Sequence, residues 1–199
     1  MFFHPLRRRF VGRSMRFLLH STLHRVGAVV VKALEDGEQY ILFRKGGILD
    51  PGFSVESSEF LLFPTFEHQT KEYLKENYKN KFDELLSRRN TNKVTITLAA
   101  KVITVHEISD KEKLHRLKDY HVYNDDFINY RMQWNQDKPM SVLFVRTYNL
   151  DNPLTIDTLP EYSGCRSWIK INISTSLGKP VLNDKEFYEL KQLLEELIS

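Results

Sequence analysis

The sequence predicts an α+β domain built on a mainly antiparallel, open or barrel-like sheet that amphipathic helices cover. Three observations favour this class. Runs of β-branched and aromatic residues recur along the chain, with two strongly helical periods between and after them. Few of these runs are separated by enough chain for the crossover helix of a parallel sheet. A hydrophobic content of 41% in 199 residues is sufficient for one buried core.

The first half of the chain predicts three strands and one long helix. Residues 26–34 and 39–44 are rich in β-forming residues, and the turn-like residues 35–38 between them predict a β-hairpin. Residues 60–63 predict a short third strand. From about Thr65 to Arg88, apolar residues recur at helical spacing, which predicts an amphipathic helix that is either continuous or broken near Asn80.

The second half predicts strands that alternate with capped helices. Residues 93–108 form one long strand or two strands with a bend, and residues 109–112 form a capping box before a short helix with Leu114 and Leu117 inward. Asn124 begins the next helix, which ends near Trp134, and strands follow at 140–150 and 168–171. The last helix, 183–198, has a predicted buried stripe of Phe187, Leu190, Leu193, Leu194 and Leu197.

The charge distribution divides the chain at residue 25. The formal net charge is +3, and residues 1–25 contain six arginines and no acid, so the remainder carries 3 − 6 = −3. The leader 1–25 is interpreted as a disordered tail or as translated sequence upstream of a later natural start, for which Met15 is the candidate. The alternatives are a nucleic-acid arm and a targeting peptide. Residues 26–199 are predicted to form a single domain, with a core of 26–171 and the C-terminal helix 183–198.

Composition narrows the cellular setting and the kinds of partner. No apolar run approaches the roughly 18 residues that a membrane span needs, and a single cysteine, Cys165, excludes an intramolecular disulfide. We therefore expect a reducing, cytoplasmic compartment and no membrane partner. Nothing in the sequence indicates a cofactor, and the oligomeric state is left open.

The junction after Pro64 is the first candidate site. Proline interrupts a strand, and Thr65 has the chemistry to cap a helix whose first turn would hold Glu67, His68 and Gln69. A helix N-terminus can bind an anion or hold a histidine neutral as a general base. The alternative interpretation is that these polar residues only stabilise the helix end.

Cations next to turns or aromatic residues supply the second candidate site. Arg44 and Lys45 precede two glycines, where a phosphate could approach the backbone, although a solvated basic pair is the simpler interpretation. Arg131 and Trp134 lie three residues apart and share a helix face, which suits base stacking or cation–π packing. Arg146, in a predicted strand, is the fourth candidate cation.

Metal sites are not predicted. His106 with Glu107, and His121 with Asp125 and Asp126, lack a recognised ligand spacing, and a lone cysteine excludes the usual thiolate zinc sites.

Four separated segments, 41–48, 60–69, 124–134 and 162–168, occur in an order that resembles the DUF1802 family of uncharacterised prokaryotic proteins, over residues 26–171. The resemblance implies no assigned activity. Some relatives are joined to a restriction-endonuclease-like domain, which implies a role linked to DNA or defence, either alone or with a separate nuclease subunit. A superficial similarity to Nudix hydrolases is set aside because the glutamate-rich helix that binds magnesium in that family is missing.

Three hypotheses follow from these residues. In the first, the protein is a nucleic-acid-associated binding module that contacts DNA or RNA with Arg44, Lys45, His68, Gln69, Arg131, Trp134 and Arg146. In the second, it is a small hydrolase or transferase with His68 as general base, Glu67 as the orienting group, and arginines holding an anionic substrate. In the third, it is a protein-interaction subunit without chemistry. The first two predict that these side chains line one concave surface.

Overall fold

The computed structural model describes residues 22–45, 58–67, 69–134, 136–162, 168–173 and 175–199. Its strands are β1 (Thr22–Gly27), β2 (Ile41–Lys45), β3 (Glu59–Thr65), β4 (Lys93–Ile108), β5 (Met140–Asp157), β6 (Trp168–Lys170) and β7 (Leu177–Pro180). Its α-helices are α1 (Ala28–Glu35), α2 (Glu76–Ser87), α3 (Lys111–Arg116), α4 (Asp125–Gln133) and α5 (Asp184–Ile198). Short 3₁₀ turns lie at Lys71–Tyr73, Lys118–Tyr120 and Pro160–Tyr162.

The seven strands form one mostly antiparallel sheet in the order β2-β5-β4-β3-β1-β6, with β7 added to β5. The pairing of β1 with β3 is parallel, and the other pairings are antiparallel. The long strands β4 and β5 form the centre and pair through two register shifts, which bend the sheet. The α+β class with a mainly antiparallel sheet is confirmed, and no hydrogen bonds between the described strands close the sheet.

The two edges of the hydrogen-bonded path nevertheless meet through side chains. The guanidinium of Arg44, on edge strand β2, lies 5.2 Å from the ring centre of Trp168, on edge strand β6. We call the gap between these two edges the seam. The sheet is therefore curled almost into a barrel, and side-chain contacts span the seam in place of a strand ladder.

Helices cover both faces of this curled sheet. On one face α1 packs its valines against Leu62 and Leu143, and α2 adds Phe82 to the same cluster. On the other face α3, α4 and α5 pack against β2 and β5, in a cluster that includes Ile41 and Phe144. None of the helices that the structure describes is long and apolar enough to cross a membrane.

The predicted hairpin over 26–44 is wrong in its first half. Strand β1 ends at Gly27, and Ala28–Glu35 is the helix α1, six of whose eight residues are buried. Valines favour strands because their branched side chains are stiff in a helix, but that preference is weak. Burial on nearly all sides of α1 outweighs it. The second half of the prediction, the strand β2, is confirmed.

The helix predicted from Thr65 to Arg88 begins eleven residues later than expected, since α2 starts at Glu76 and continues unbroken through Asn80. Thr65 still belongs to β3, where it pairs with Gly27. The Oγ1 atom of Thr65 accepts a hydrogen bond from the backbone N–H of Glu67 at 3.1 Å, so it stabilises a turn and not a helix start. Proline is tolerated in β3 because Pro64 lies beyond the stretch that pairs with β4.

The other predicted elements are present with small corrections. Residues 93–108 form one strand, and the caps of α4 and α5 are Asn124 and Asn183 as predicted. Asp110 caps α3, and Leu193 is exposed although it was predicted to be buried. Strand β7 was not predicted. The last four residues of the predicted leader, 22–25, form part of β1, and the rest of the leader lies outside the described residues.

Candidate functional site

A concave cleft of about 250 Å³ opens at the seam. Its walls come from β1, the first residues of α1, the end of β2, Tyr123 and α4. Four cationic side chains line it: Arg25, Arg44, Lys45 and Arg131. No aspartate or glutamate occurs among its described lining residues. We call this concavity the basic cleft.

Lys45 and Arg131 are the two cations of the cleft whose environment is most unfavourable for charge. Only 5% of Lys45 is exposed, and its Nζ donates a hydrogen bond to the carbonyl oxygen of Lys138. Burial, together with the nearby charge of Arg131, lowers the pKa of Lys45. Burial likewise lowers the pKa of Arg131. Within the described part of the chain, neither side chain forms an ion pair.

Arg44 is held in place by an aromatic stack. Its guanidinium lies over the ring of Trp168, and this ring stacks on His24 at 4.2 Å between centroids and an angle of 24°. His24 also meets Phe60 edge to face at 5.2 Å. A guanidinium over an aromatic face directs its N–H donors along its own plane and away from the ring. The contact with Trp168 thus places the Arg44 guanidinium at the seam.

Tyr123 gives the cleft a hydroxyl group that stays protonated. Its ring stacks on Phe127, with centroids 3.7 Å apart and an angle of 8°. Loss of contact with water raises the pKa of Tyr123 to about 12. At neutral pH the phenol thus carries its proton and can donate a hydrogen bond.

Behind Tyr123 lies a neutral histidine. The Nδ1 atom of His121 accepts a hydrogen bond from the backbone N–H of Tyr123 at 3.1 Å, which requires an unprotonated Nδ1. Burial lowers the pKa of His121 to about 3. Its ring meets Phe43, which lines the cleft, edge to face at 4.9 Å. His121 therefore supports the cleft wall without adding charge to it.

The start of α1 borders the cleft at Gly27. The Oε1 atom of Gln69 accepts a hydrogen bond from the backbone N–H of Val29 at 3.4 Å, so Gln69 caps this helix from outside it. A Cβ atom at position 27 would lie 2.5 Å from Nε2 of Gln69, which explains the glycine. The positive end of the α1 dipole therefore lies beside the basic cleft.

A second pocket of about 150 Å³ adjoins the cleft and shares Arg25 with it. Here Nη2 of Arg25 lies 2.7 Å from the carboxylate of Glu67 and 3.3 Å from Oγ1 of Thr65. Two further cations, Arg89 and Lys93, line the pocket and are exposed to water. We call it the Glu67 pocket.

The predicted site residues are only partly brought together. Arg44, Lys45 and Arg131 line one cleft, and Arg131 has its guanidinium 5.3 Å from the ring centre of the half-exposed Trp134. Gln69 lies behind the cleft wall and Glu67 lines the adjoining pocket. His68 lies outside the described residues.

Arg146 does not lie in the cleft. It forms an ion pair with Asp184 of α5, and its guanidinium lies between the rings of Tyr148 and Phe187. The position of Arg146 in the interior of β5, on the face that α5 covers, explains this difference. The expectation that Arg146 shares a surface with Arg44 is therefore corrected.

Sequence reasoning missed Arg25 and Tyr123, which line the cleft, and Trp168, whose ring contacts the cleft residue Arg44. Arg25 was counted with the basic leader, although the apolar residues on either side of it are a strand signal. Tyr123 and Trp168 both lie at the edge of segments that carried the family resemblance. An aromatic residue at the edge of such a segment was the available sign of a site residue.

In the part of the chain that the structure describes, no three His, Cys, Asp or Glu side chains gather as metal ligands would. The carboxylate of Glu107 accepts a hydrogen bond from the hydroxyl of Ser141 at 2.7 Å. Nδ1 of His115, a partly buried histidine, lies 3.0 Å from a carboxylate oxygen of Asp125.

Comparison with known families assigns the chain. The model of the "Domain of unknown function (DUF1802)" family matches residues 26–193, which is most of the sequence. The chain belongs to the DUF1802 family. The family resemblance inferred from four sequence segments is thus confirmed, and the match extends into α5 of this DUF1802 domain.

Solved structures of an ASCH protein from Zymomonas mobilis and of two of its mutants are similar to this DUF1802 chain. The ASCH protein is 11% identical, with 87% of this chain and 95% of that chain covered and a TM-score of 0.45. One mutant is 12% identical to this chain, with 87% of this chain and 96% of the mutant chain covered and a TM-score of 0.45. The other mutant is 9% identical, with 87% of this chain and 98% of the mutant chain covered and a TM-score of 0.42. No curated protein matches the chain.

Proposed function

We propose that this DUF1802 protein binds nucleic acid, with the phosphates held in the basic cleft. The observation that carries the proposal is the presence of Lys45 and Arg131 in one concavity without a described carboxylate in its lining. Burying a cation costs free energy unless a partner compensates it. A phosphate group would supply the missing negative charge and would raise both lowered pKa values again.

Each cleft residue has a defined part in this proposal. Arg44, which contacts Trp168, is suited to a bidentate contact with phosphate oxygens. Lys45, the next residue in β2, adds a single positive charge to the cleft. Arg131 closes the cleft from α4. The protonated phenol of Tyr123 and the positive end of α1 complete an environment for an anion.

A polymeric phosphate fits these features better than an isolated one. Trp134 lies half exposed beside Arg131, outside the cleft itself, so a ligand held there would have an aromatic surface next to its phosphate. Nucleic-acid ligands combine these two parts, and the phosphate contacts supply most of the affinity. The same binding activity would serve a DNA-linked or defence role, alone or with a separate nuclease subunit.

The test measures binding of the full chain to a fluorescently labelled 20-nucleotide oligonucleotide as a function of salt concentration. We expect Lys45→Gln and Arg131→Gln each to weaken binding about tenfold or more at low salt. Each should also reduce the salt slope by about 0.7 for a single strand, because each removes one phosphate contact. Arg88→Gln, which removes an exposed arginine at the end of α2, is the matched control and should have little effect.

Two results would contradict the cleft assignment. The first is unchanged affinity and salt slope in both cleft variants. The second is binding that disappears when the chain begins at Met15, because the arginines at positions 7, 8, 9 and 13 would then carry it. Absence of binding in every form of the chain would favour a protein-interaction subunit.

A small hydrolase or transferase that uses the same cleft is the second candidate function. It is favoured by the two residues that flank His68, since Glu67 contacts Arg25 and Gln69 lies against Gly27, and both contacted residues line the cleft. In this alternative His68 is the general base, Glu67 orients it, and Arg44 holds the anionic substrate.

His68→Ala separates the two candidates. If His68 is catalytic, oligonucleotide turnover should be abolished while binding survives. If it is a binding residue, affinity should fall by roughly 1 to 3 kcal/mol, as for a lost polar contact, without any turnover to lose. An unfolded His68→Ala protein by circular dichroism would assign the histidine a structural role and remove both alternatives.

A further inference from the structure

An exposed aromatic surface lies on α4 beside the basic cleft. Tyr130 and Trp134 are 50% and 49% exposed. They are four residues apart at the end of α4, so they lie next to each other on one face of that helix end. Large aromatic residues that remain exposed in neighbouring positions mark interaction surfaces more often than isolated ones do.

This surface is connected to the cleft wall by a continuous series of ring contacts. Tyr130 stacks on Tyr73 with centroids 5.2 Å apart and an angle of 21°. Tyr73 meets Phe127 edge to face at 6.1 Å, and Phe127 stacks on Tyr123. Because Tyr123 lines the basic cleft, these contacts hold the exposed ring of Tyr130 in a defined position relative to the cleft. That ring needs little ordering when a ligand binds.

Arg131 joins the two surfaces directly. It lies between Tyr130 and Trp134 in sequence, and its guanidinium is 5.3 Å from the Trp134 ring centre while the same side chain lines the cleft. A phosphate bound at Arg131 would therefore leave its attached nucleoside close to the exposed rings. Positive charge and stacking surface are adjacent, as in proteins that bind single-stranded nucleic acid.

We propose that the ligand of the basic cleft is single-stranded nucleic acid, whose bases stack on Trp134 and Tyr130 while its phosphates occupy the cleft. This inference rests on the proposed function and adds the strandedness of the ligand. In a duplex the base faces are buried against each other, so a duplex could use the cleft but not the aromatic surface. The chemistry is shared by single-stranded DNA and RNA.

The experiment uses the full chain and four labelled probes: a 20-nucleotide dT strand, the corresponding U strand, a 20-base-pair duplex, and an abasic deoxyribose-phosphate strand of the same length. Affinity is measured by fluorescence anisotropy at one fixed salt concentration. We expect the dT and U strands to bind at least tenfold more tightly than the duplex and the abasic strand. The ratio of dT to U affinity reports the combined effect of the 2′-hydroxyl and the thymine methyl group.

Trp134→Ala should weaken binding of the dT strand roughly 5- to 100-fold, the range for loss of one stacked base, and leave binding of the abasic strand unchanged. Tyr130→Ala should act in the same direction with a smaller factor. Tyr188→Ala is the matched control, because Tyr188 is 60% exposed on α5 and does not line the cleft. Binding of dT should quench intrinsic tryptophan fluorescence in the parent protein, and this quenching should be lost in Trp134→Ala.

Three outcomes overturn the inference: equal affinity for duplex and single strand, an unchanged dT affinity in Trp134→Ala, or an equal loss of abasic-strand affinity in that variant. In each of these cases the proposed function survives if Lys45→Gln still weakens binding. If Lys45→Gln and Arg131→Gln both leave the affinity of every probe unchanged, the proposed function fails together with the inference.

Discussion

The basic cleft and the Glu67 pocket share Arg25, yet they treat positive charge differently. In the Glu67 pocket the buried cation meets a carboxylate at 2.7 Å, and the other two cations are solvated. In the basic cleft Lys45 is buried, and its nearest described partners are a carbonyl oxygen and the sulfur of Met132. Among the described residues, the fold pairs Arg25 with a carboxylate but gives none to Lys45 and Arg131, so the cleft is where an external anion is expected.

The stability of the protein at acid pH tests whether the cleft wall tolerates a positive charge on His121. His121 has an ordinary pKa near 6.5 in the unfolded chain and about 3 in the folded protein. Between these values the unfolded state binds the proton and the folded state does not, so stability falls as pH decreases from 6.5 towards 3. The loss is about 5 kcal/mol for this one group, since each unit of pKa corresponds to about 1.4 kcal/mol. Urea unfolding across this range measures it.

His121→Asn removes this titration while the Asn side-chain oxygen can still accept the hydrogen bond from Tyr123. The variant should be less stable at neutral pH because of poorer packing, and its stability should depend less on pH below 6.5. Equal acid slopes in the parent and the variant would show that other groups cause the acid sensitivity.

The second prediction is that removing a cation lowers the free energy of unfolding in the Glu67 pocket but not in the basic cleft. Arg25→Met removes the partner of Glu67 and should lower the free energy of unfolding by about 1 to 2 kcal/mol, since the carboxylate is only partly exposed. Lys45→Met retains an aliphatic side chain and removes an uncompensated buried cation, so stability should rise or stay within about 0.5 kcal/mol. Urea unfolding at pH 7 of both variants makes the comparison.

A loss of stability in Lys45→Met as large as that in Arg25→Met would break the distinction between the two concavities. It would mean that the hydrogen bond from Lys45 to Lys138 compensates the charge as well as a carboxylate does. The cleft would then have no unmet requirement for an anion.

The wall between the two concavities gives a third, smaller effect. Gly27→Ala would force the Gln69 amide away from its position, and with it the cap on α1, at a cost of about 1 kcal/mol. Gln69→Ala should cost a similar amount because the Val29 N–H loses its acceptor. The double variant should be less destabilised than the sum of the two, since both changes act on one contact. Additive costs by thermal unfolding would contradict this coupling.

The smallest expected effect is the pH dependence of Lys45. Its pKa is lowered in the folded protein, so between that value and the ordinary 10.5 the unfolded chain binds more protons and stability rises with pH. Oligonucleotide affinity should fall over the same alkaline window because the cation is lost. Lys45→Met should show neither trend, and identical alkaline profiles in the two proteins would contradict the assignment.

Local signals in the sequence predicted most of the fold. The Asn caps of α4 and α5 and the β-branched run of β4 are local features, and each was read correctly. The failures depend on distant contacts. Nothing within 28–35 indicates that α1 would be enclosed by the sheet, and nothing within 65–75 indicates that Thr65 would continue a strand beside β1.

The candidate site could also be predicted only where local signals in the sequence mark its residues. Arg44, Lys45 and Arg131 stand out by residue type next to turns and aromatic residues, and they lie together. Arg25 and Arg146 were misjudged because their partners, Glu67 and Asp184, are distant in sequence. The parallel pairing of β1 with β3 brings Arg25 to Glu67, and the packing of α5 on the sheet brings Asp184 to Arg146. Neither arrangement can be recognised from the residues next to each arginine in sequence.

The contact between Arg44 and Trp168 has a consequence for the order in which the molecule assembles. The two residues are 168 − 44 = 124 positions apart, so their contact closes most of the chain into a loop. Closing a loop of this length costs entropy that only a largely formed sheet can offset. The seam is therefore expected to close late in folding. A chain emerging from the ribosome would place the Trp168 ring against Arg44 only after β6 has been synthesised, and a fragment that ends before β6 would contain the cleft residues without this contact.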